Sequence, residues 1–282
     1  MEDGQLNKKV IFIIQARMKS TRLPGKILMP LPLGSDKPLL SWIIEELKKS
    51  TFYSKIVVAT SLNKENDLLV TFCEQQNISC FRGDEDDVLS RFTSIIRNQD
   101  FESVVRLTAD NPIIDVTILD STITEHLNKN NDYTCSVGLP VGMNFEIISS
   151  KSLLDTEKNN ISDADKEHVT MYVRNNDKYQ KGVYFANCNP DFKSLRLTVD
   201  YASDYSLVSS ILSHSLLNKN SKFGLELVEE IFFKYPWIFE TNSTNIQKKQ
   251  FSDKNEEIKE ACKFLNIYDF KDAALVLEKY VK

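Results

Sequence analysis

In the first half of the chain, runs of consecutive apolar residues alternate with segments whose apolar positions recur every three to four residues. The runs lie at 10–14, 56–60, 78–81 and 104–107, and the periodic segments lie at 39–49, 65–76 and 88–96. Runs rich in β-branched residues are typical of strands buried on both faces, and the periodic segments are typical of amphipathic helices. Because alternating strands and helices form right-handed βαβ units, we predict an α/β fold with a mostly parallel sheet sandwiched by helices.

The second half of the chain is less regular. Short strand-like segments at 133–137, 144–148, 182–186 and 195–199 predict an antiparallel or mixed extension of the same sheet, and a helix is predicted over 204–217. From residue 223 onward the apolar period is helical again, around a polar stretch at 242–257. We therefore predict an α/β domain over residues 1–217 and a helical C-terminal extension over 218–282.

Composition and charge narrow the class of protein. The 282 residues are 41% hydrophobic and carry a net charge of −5, which indicates a globular chain and argues against nucleic acid as a partner. The segment 1–9 is polar and no apolar run is long enough to span a bilayer, so we expect no membrane insertion and a cytoplasmic location. Five scattered cysteines without a C-x-x-C pair indicate reduced thiols, and three distant histidines argue against a zinc site.

The predicted loop after the first strand, residues 15–26, reads Q-A-R-M-K-S-T-R-L-P-G-K and concentrates positive charge. Its cations and hydroxyls are Arg17, Lys19, Arg22, Lys26, Ser20 and Thr21. Ligands bind outside the carboxyl ends of parallel strands, and guanidinium, ammonium and hydroxyl groups are the donors that a polyphosphate needs. The loop is not a P-loop, since G-x-x-x-x-G-K-[ST] is absent. We predict a polyphosphate-binding loop, with a solvated basic loop as the alternative.

Two aspartates that follow predicted strands are candidate metal ligands. Asp110 lies in R-L-T-A-D-N-P-I-I-D, and Asp200 ends L-R-L-T-V-D. Magnesium binds one or two carboxylates together with substrate phosphates and water, so carboxylates from two strand ends can share one ion. Taken alone, Asp110 is equally well explained as a helix N-cap or turn residue. Asp204 is more simply a helix N-terminal acid than a ligand.

Two further polar segments are candidates for binding an acceptor substrate. The segment V-G-M-N-F-E at 141–146 contains Asn144 and Glu146, and D-K-E-H-V-T at 165–170 contains His168. For His168 taken alone, a capping or core histidine is the simpler interpretation. The acids at 84–86 match a D-x-D pattern, but they open a predicted helix, where the helix dipole favours acids in any case.

Five of these segments, in this order, resemble the SpsF-like cytidylyltransferase family, with acylneuraminate and 3-deoxy-manno-octulosonate cytidylyltransferases as more distant relatives. The motifs are I-I-Q-A-R-M-K-S-T-R-L-P-G-K at 13–26, F-R-G-D-E-D-D-V-L-S-R-F at 81–92, R-L-T-A-D-N-P-I-I-D at 106–115, E-H-V-T-M-Y-V-R at 167–174 and L-R-L-T-V-D at 195–200. The resemblance implies a nucleotide-diphospho-sugar transferase, Rossmann-like fold over 1–217. It also implies transfer of CMP from CTP to an acidic sugar or similar acceptor, with release of pyrophosphate, for surface polysaccharide biosynthesis.

The resemblance also implies roles for residues. The nucleotide would be bound by Gln15, Arg17, Ser20, Thr21, Arg22, Lys26, Thr60 and Arg106, with Thr60 near the nucleobase. The acceptor would be bound by Asn144, Glu146, His168 and Arg174, and Mg²⁺ by Asp110 and Asp200. Arg22, Lys26, Asp110 and Asp200 would be the catalytic residues, because positioning and charge neutralisation carry most of this chemistry. A homodimer is expected, since relatives commonly pair.

The chain departs from the family pattern at three places. Lys19 and Asn111 replace a common glycine and cysteine, and 141–146 replaces D-G-L-D-V-E with both aspartates absent. Nucleotide chemistry is therefore better supported than any named acceptor. Two alternatives stay open: a nucleotide-sugar-dependent glycosyltransferase, which the D-x-D at 84–86 would serve, and a non-catalytic nucleotide-binding protein, which the altered 141–146 segment and the extension would suit.

Overall fold

The computed structural model describes residues 10–218, 222–245 and 254–280, so the polar segment 1–9 lies outside the described residues. The chain forms two compact units, Met1–Thr244 and Asn245–Lys282. The strands are β1 (Val10–Gln15), β2 (Lys55–Ser61), β3 (Ser79–Gly83), β4 (Ser103–Thr108), β5 (Tyr133–Val137), β6 (Glu146–Ser149) and β7 (Lys181–Phe185). In the first unit they form one sheet in the order β3-β2-β1-β4-β6-β5-β7.

The helices of the first unit cover both faces of this sheet. They are α1 (Leu39–Leu47), α2 (Asp67–Gln75), α3 (Val88–Ile96), α4 (Val116–Asn128), α5 (Ser150–Thr156), α6 (Asp163–His168), α7 (Met171–Asn175), α8 (Ala202–Leu217) and α9 (Gly224–Lys234). Alternate residues of β1 enter different cores: Phe12 and Ile14 pack with α1 and α8, whereas Ile11 and Ile13 pack with α3. The predicted sandwich of helices around the sheet is confirmed.

The first four strands form the parallel half of the sheet. Strand β1 pairs in parallel with β2 and with β4, and β2 pairs in parallel with β3. The strands therefore end at one edge, where Gln15, Ser61, Gly83 and Thr108 are their last residues. Loops that follow these strands share that edge, as the alternation of strands and helices predicts.

The other half of the sheet is mixed, as predicted. Strand β6 is antiparallel to β4 and β5, and β5 is parallel to β7. The β4–β6 register places Arg106 opposite Glu146.

The strand predicted at 195–199 is wrong. This segment is extended and forms a single bridge, between Arg196 and Val141. Its backbone groups bond to loops instead of to a strand: Leu197 N donates to Val141 O at 2.7 Å and Val199 N donates to Asp110 O at 2.8 Å. An apolar run alone does not distinguish these two kinds of partner.

The first compact unit extends past the predicted boundary at residue 217. Helix α9 and the 3₁₀ helix Pro236–Asn242 bury apolar side chains in the same core as the sheet: Leu227, Val228, Ile231, Ile238 and Phe239. The second unit consists, in its described part, of α10 (Lys254–Ile267) and α11 (Lys271–Glu278), which bury Cys262 and Ala274. Across the described residues, no helix is both long and apolar enough to cross a bilayer. All five cysteines are free thiols.

Candidate active site

The loop after β1 folds back on itself and delivers Lys26 to the sheet edge. The N–H of Gly25 donates to Met18 O at 3.0 Å, and Gly25 has a φ of 73°, a left-handed conformation that glycine adopts without strain. Met18 N in turn donates to Asn66 Oδ1 at 2.8 Å, which ties the loop to the segment after β2. Lys26 then opens a one-turn 3₁₀ helix, and its side chain is only 9% exposed.

The two candidate metal ligands converge on that lysine. Lys26 Nζ lies 2.9 Å from Asp110 Oδ2 and 2.9 Å from Asp200 Oδ1. Arg22 Nη2 lies 2.9 Å from the same Asp200 oxygen, and its guanidinium stacks over the Tyr201 ring at 4.7 Å. The backbone bond from Val199 N to Asp110 O joins the two aspartate-bearing segments directly. The structure therefore brings Arg22, Lys26, Asp110 and Asp200 into one cluster.

Charge keeps Asp200 ionised in this cluster. Burial alone would raise the pKa of the Asp200 carboxyl, but the hydrogen bond and charge of Lys26, together with Arg22 and Arg196, hold that pKa below its ordinary value. Burial likewise opposes the charge of Arg22, but Asp200 and Tyr201 together outweigh it, so the pKa of the Arg22 guanidinium is raised. Both groups are therefore charged at neutral pH.

The donors in this cluster fit a hard divalent cation. Two carboxylates from different segments face one cationic atom, the Lys26 ammonium, and carboxylate oxygens are the ligands that Mg²⁺ prefers. Among the described residues, no three His, Cys, Asp or Glu side chains group together as a metal site. These two aspartates could hold such an ion only together with phosphate and water oxygens, as is usual for magnesium–nucleotide sites.

A second polar cluster surrounds Glu146, the first residue of β6. Arg106 Nη1 lies 2.6 Å from Glu146 Oε2, and Arg106 Nη2 donates to Gln15 Oε1 at 3.2 Å. Burial opposes the charge of Glu146, but Arg106 and the other donors hold the pKa of this carboxyl below its ordinary value. The pair thus links the last residue of β1 to the first residue of β6.

The other carboxylate oxygen of Glu146, Oε1, contacts β5 and the helical segments after β6. Tyr133 Oη donates to Glu146 Oε1 at 2.7 Å, and Thr170 Oγ1 donates to the same oxygen at 3.1 Å. Arg174 lies 3.7 Å from it and is about half exposed. Burial and the negative charge of Glu146 raise the pKa of the Tyr133 hydroxyl, so Tyr133 stays protonated and donates a hydrogen bond to Glu146.

Several predicted site residues lie outside both clusters. Arg17 is exposed and 3.6 Å from Glu85, Thr21 is exposed, and Ser20 Oγ accepts the Leu23 N–H at 3.4 Å. Asn144 is exposed, with Nδ2 3.5 Å from the carbonyls of Leu139 and Pro140.

Two more predicted site residues are Thr60, in β2, and His168, in α6. The side chain of Thr60 is fully buried in β2, and its hydroxyl has no hydrogen-bond partner among the described residues. His168 is half-buried at the end of α6, and its carbonyl accepts the Thr170 N–H.

Three residues behind Asp200 were missed by the sequence analysis. Arg196, Asp204 and Asn242 are buried and connect to one another and to Asp200. Arg196 is the one charged residue within the apolar run 195–199, which is a pattern that could have pointed to it. Asp204 does serve as a helix N-terminal acid, because it accepts the N–H of Tyr201, but it also bonds Arg196. Nothing in the sequence around Asn242 indicates its contact.

A family model described as cytidylyltransferase matches residues 11–226 of this chain. The spore coat polysaccharide biosynthesis protein SpsF of Bacillus subtilis is 37% identical over 209 residues, which cover 72% of this chain and 85% of SpsF. An uncharacterized protein of Methanocaldococcus jannaschii is 32% identical over 253 residues, which cover 88% of this chain and all of that protein.

Solved structures agree with these matches. A cytidylyltransferase from Leptospira borgpetersenii superposes with a TM-score of 0.74 at 30% identity, covering 86% of this chain and 99% of that one. A CMP:2-keto-3-deoxy-manno-octonic acid synthetase, solved in complex with CTP, gives a TM-score of 0.54 at 13% identity over 73% of this chain and 99% of its own, and so shares the fold. The fold is that of nucleotide-sugar transferases, and the family match spans most of the first unit. The chain belongs to the cytidylyltransferase family and is a nucleotidyltransferase.

Proposed function

We propose that the protein transfers CMP from CTP to an acidic sugar or similar acceptor and releases pyrophosphate. The convergence of Arg22, Lys26, Asp110 and Asp200 at the carboxyl edge of the parallel strands carries this proposal. It is supported by family membership, by the spore coat polysaccharide role in the name of SpsF, and by the CTP complex of a protein with the same fold. The reaction would take place in the cytoplasm, and its product would serve surface polysaccharide biosynthesis.

The residues of this cluster would act through position and charge. The acceptor oxygen must attack the α-phosphate in line with the departing pyrophosphate, and Arg22 and Lys26 would bind the phosphates and offset the charge that develops. Asp110 and Asp200 would hold Mg²⁺, which supplies further positive charge at the phosphates when bound. Residues 15–25 would close over the triphosphate.

The Glu146 cluster is the proposed acceptor site. Its Arg106 lies on β4, the strand that leads to Asp110, and half-exposed Arg174 would offer a guanidinium to the carboxylate of an acceptor. Glu146, whose side chain is partly exposed, would accept hydrogen bonds from sugar hydroxyls. Asn144 and His168 would flank this site. We also propose that two copies of the chain pair, as the resemblance implies, which sedimentation analysis would test.

A pyrophosphate-release screen tests the function. The four nucleoside triphosphates are crossed with sugar acids and phosphorylated small molecules, with Mg²⁺ present throughout. We expect release with CTP and at least one sugar acid, and thermal stabilisation by CTP with Mg²⁺ but by no other nucleotide. Stabilisation by a different nucleotide, or turnover without pyrophosphate, would contradict the proposal.

Two matched variants assign the chemistry. Asp110→Asn should lower turnover by at least about a hundredfold while leaving folding intact, because it removes one anionic ligand. Asp86→Asn makes the same change at an exposed acid of the D-x-D pattern and should leave turnover unaltered. The acids of that pattern form a turn, in which Asp84 Oδ1 accepts the N–H groups of Asp86 and Asp87 at 2.8 Å. Loss of activity in Asp86→Asn alone would favour the glycosyltransferase alternative.

A further inference from the structure

Behind the Asp200 carboxylate lies a chain of three buried polar side chains: Arg196, Asp204 and Asn242. Arg196 Nη2 lies 2.7 Å from Asp200 Oδ2, and Arg196 Nε donates to Asp204 Oδ1 at 3.0 Å. Asn242 Nδ2 donates to that same Asp204 oxygen at 2.8 Å. The contacts therefore run unbroken from the site of the proposed metal to residue 242.

Asp204 holds Asp200 at two points. Its Oδ2 accepts the backbone N–H groups of Asp200 and Tyr201, each at 2.9 Å, while its Oδ1 fixes Arg196. A fully buried carboxylate is costly unless its oxygens are satisfied, and at least four donors surround this one. An acid that only caps a helix bonds backbone N–H groups. Asp204 also bonds the side chains of Arg196 and Asn242, so capping of α8 alone does not account for this arrangement.

Arg196 decides which oxygen of Asp200 faces the site. The terminal torsion of an aspartate is soft, so a free carboxylate turns readily. Because Arg196 takes Oδ2, Oδ1 is left toward Lys26 and Arg22, each at 2.9 Å. The same contact keeps Asp200 directed toward Asp110, its partner across the Lys26 ammonium.

Asn242 adds a contribution from outside the region that the family model matches, which ends at residue 226. It is the last residue of the 3₁₀ helix Pro236–Asn242, which is anchored in the core by Ile238 and Phe239. Its amide nitrogen donates to Arg196 O at 2.9 Å as well as to Asp204. One side chain therefore restrains both the backbone of Arg196 and the carboxylate to which Arg196 is bound.

We propose that Asn242 and Asp204 are positioning residues, which act through Arg196 to orient Asp200 as a ligand for the divalent cation. This inference rests on the proposed function, since it concerns the metal of the same site. Hydrogen bonds behind a metal ligand restrict its orientation, and their loss typically weakens metal binding by about 10–100-fold.

The test measures Mn²⁺ binding to the full chain by electron paramagnetic resonance of the free ion, with and without CTP. Asn242→Leu removes the amide at nearly constant volume, and we expect its Mn²⁺ affinity to fall about tenfold. The Mg²⁺ concentration for half-maximal turnover should rise by a similar factor, whereas KM for CTP at saturating Mg²⁺ should stay within about twofold. Asn242→Ser keeps a short hydrogen-bond donor and should recover part of the Mn²⁺ affinity. It replaces Asn242→Leu in the test if the leucine variant does not fold.

Asn131→Leu is the matched control, because Asn131 is similarly buried but bonds Thr134 and Gln180. It should lose stability without any change in Mn²⁺ affinity. Unchanged affinity in Asn242→Leu, with affinity lost in Asp200→Asn, would overturn the positioning role and leave the proposed function standing. Absence of Mn²⁺ binding by the unaltered chain, even with CTP, would overturn the metal site itself and the positioning role with it.

Discussion

The charges around Lys26 are closely balanced before any substrate binds. Three cations face three carboxylates in this part of the molecule: Arg22, Lys26, Arg196, Asp110, Asp200 and Asp204. A triphosphate brings several negative charges, and the cations of this cluster are already paired with its carboxylates. Under the proposed function, Lys26 and Arg22 would turn toward the phosphates, and a divalent cation would replace them beside the aspartates.

This exchange predicts opposite effects for Lys26→Met on two ligands. Because the ammonium occupies the space between Asp110 and Asp200, its removal should tighten Mn²⁺ binding in the absence of CTP. Turnover should fall about a hundredfold or more, since a phosphate-binding charge is lost. Metal titration and pyrophosphate release measure the two effects, with Lys48→Met, at an exposed lysine directly after α1, as the control. Unchanged Mn²⁺ affinity would show that Lys26 does not compete with the metal.

His126 gives a separate prediction about pH, far from this cluster. Burial lowers the pKa of His126 to about 4, against a partly opposing effect of Asp132, and His126 Nδ1 lies 3.0 Å from Thr134 Oγ1. The unfolded chain takes up this proton near pH 6.5 and the folded chain does not, so stability falls as pH drops from 6.5 toward 4. The loss over that window is about 3 kcal/mol.

Urea unfolding between pH 7 and pH 4.5 measures this loss. In His126→Gln the pH dependence over that window should shrink, because the residue that titrates only in the unfolded chain is gone. The ion-paired carboxyls of Asp200 and Glu146 have lowered pKa values and lose their contribution in more acidic solution. An unchanged pH dependence in the variant would mean that His126 is not the group responsible.

At the scale of elements, Gly142 is where the loop before β6 meets the segment 195–199. Gly142 has a φ of +97°, and a Cβ there would lie 2.6 Å from Thr198 N. Gly142→Ala should therefore destabilise the fold through both backbone strain and a clash with rigid backbone, by about 2 kcal/mol or more. The clash would also push against the Val141–Arg196 bridge.

Gly34→Ala separates the two causes. Gly34 also has a positive φ, +85°, but nothing lies within 4 Å of a Cβ added there. Its substitution should cost only the backbone strain, so the difference between the two variants in urea unfolding reports the clash. Equal destabilisation of both variants would show that the Thr198 backbone moves aside freely.

The elements differ in how far the sequence determines them. The parallel strands could be predicted because each is a local apolar run, and Lys26, Asp110 and Asp200 could be named because they follow such runs. The Arg106–Glu146 pair could not, since it depends on the antiparallel register of β4 and β6. The strand prediction at 195–199 is wrong for a related reason. This segment pairs with loops, and the path of a loop leaves no periodic pattern in the sequence.

At the scale of the whole molecule, the chain after residue 217 serves two purposes that its sequence does not separate. The part up to Thr244 completes the core of the first unit and places Asn242, while residues 245–282 form a unit of their own. Both parts have helical apolar periods, so a boundary at 217 was the natural expectation. Packing against the sheet, which no local pattern encodes, distinguishes them.

Truncation tests this division. A chain that ends at Thr244 keeps every side chain of both polar clusters, so its thermal unfolding and its pyrophosphate release should match those of the full chain. A chain that ends at Leu217 loses the buried side chains of α9 and the Asn242 contact, and it should unfold or aggregate. Loss of activity on removing only 245–282 would instead assign that unit a role in turnover.

The hydrogen bond from Val199 N to Asp110 O has a consequence for how such an enzyme can diversify. Most of the proposed acceptor site lies in the long excursion of chain between these two residues. Because a hydrogen bond holds its two ends together beside the aspartates, side chains in the loops of that excursion can change without altering the spacing of the carboxylates. Under the proposed function, the acceptor region could therefore vary while Asp110 and Asp200 keep their positions. The altered segment 141–146 lies within this stretch between Asp110 and Val199.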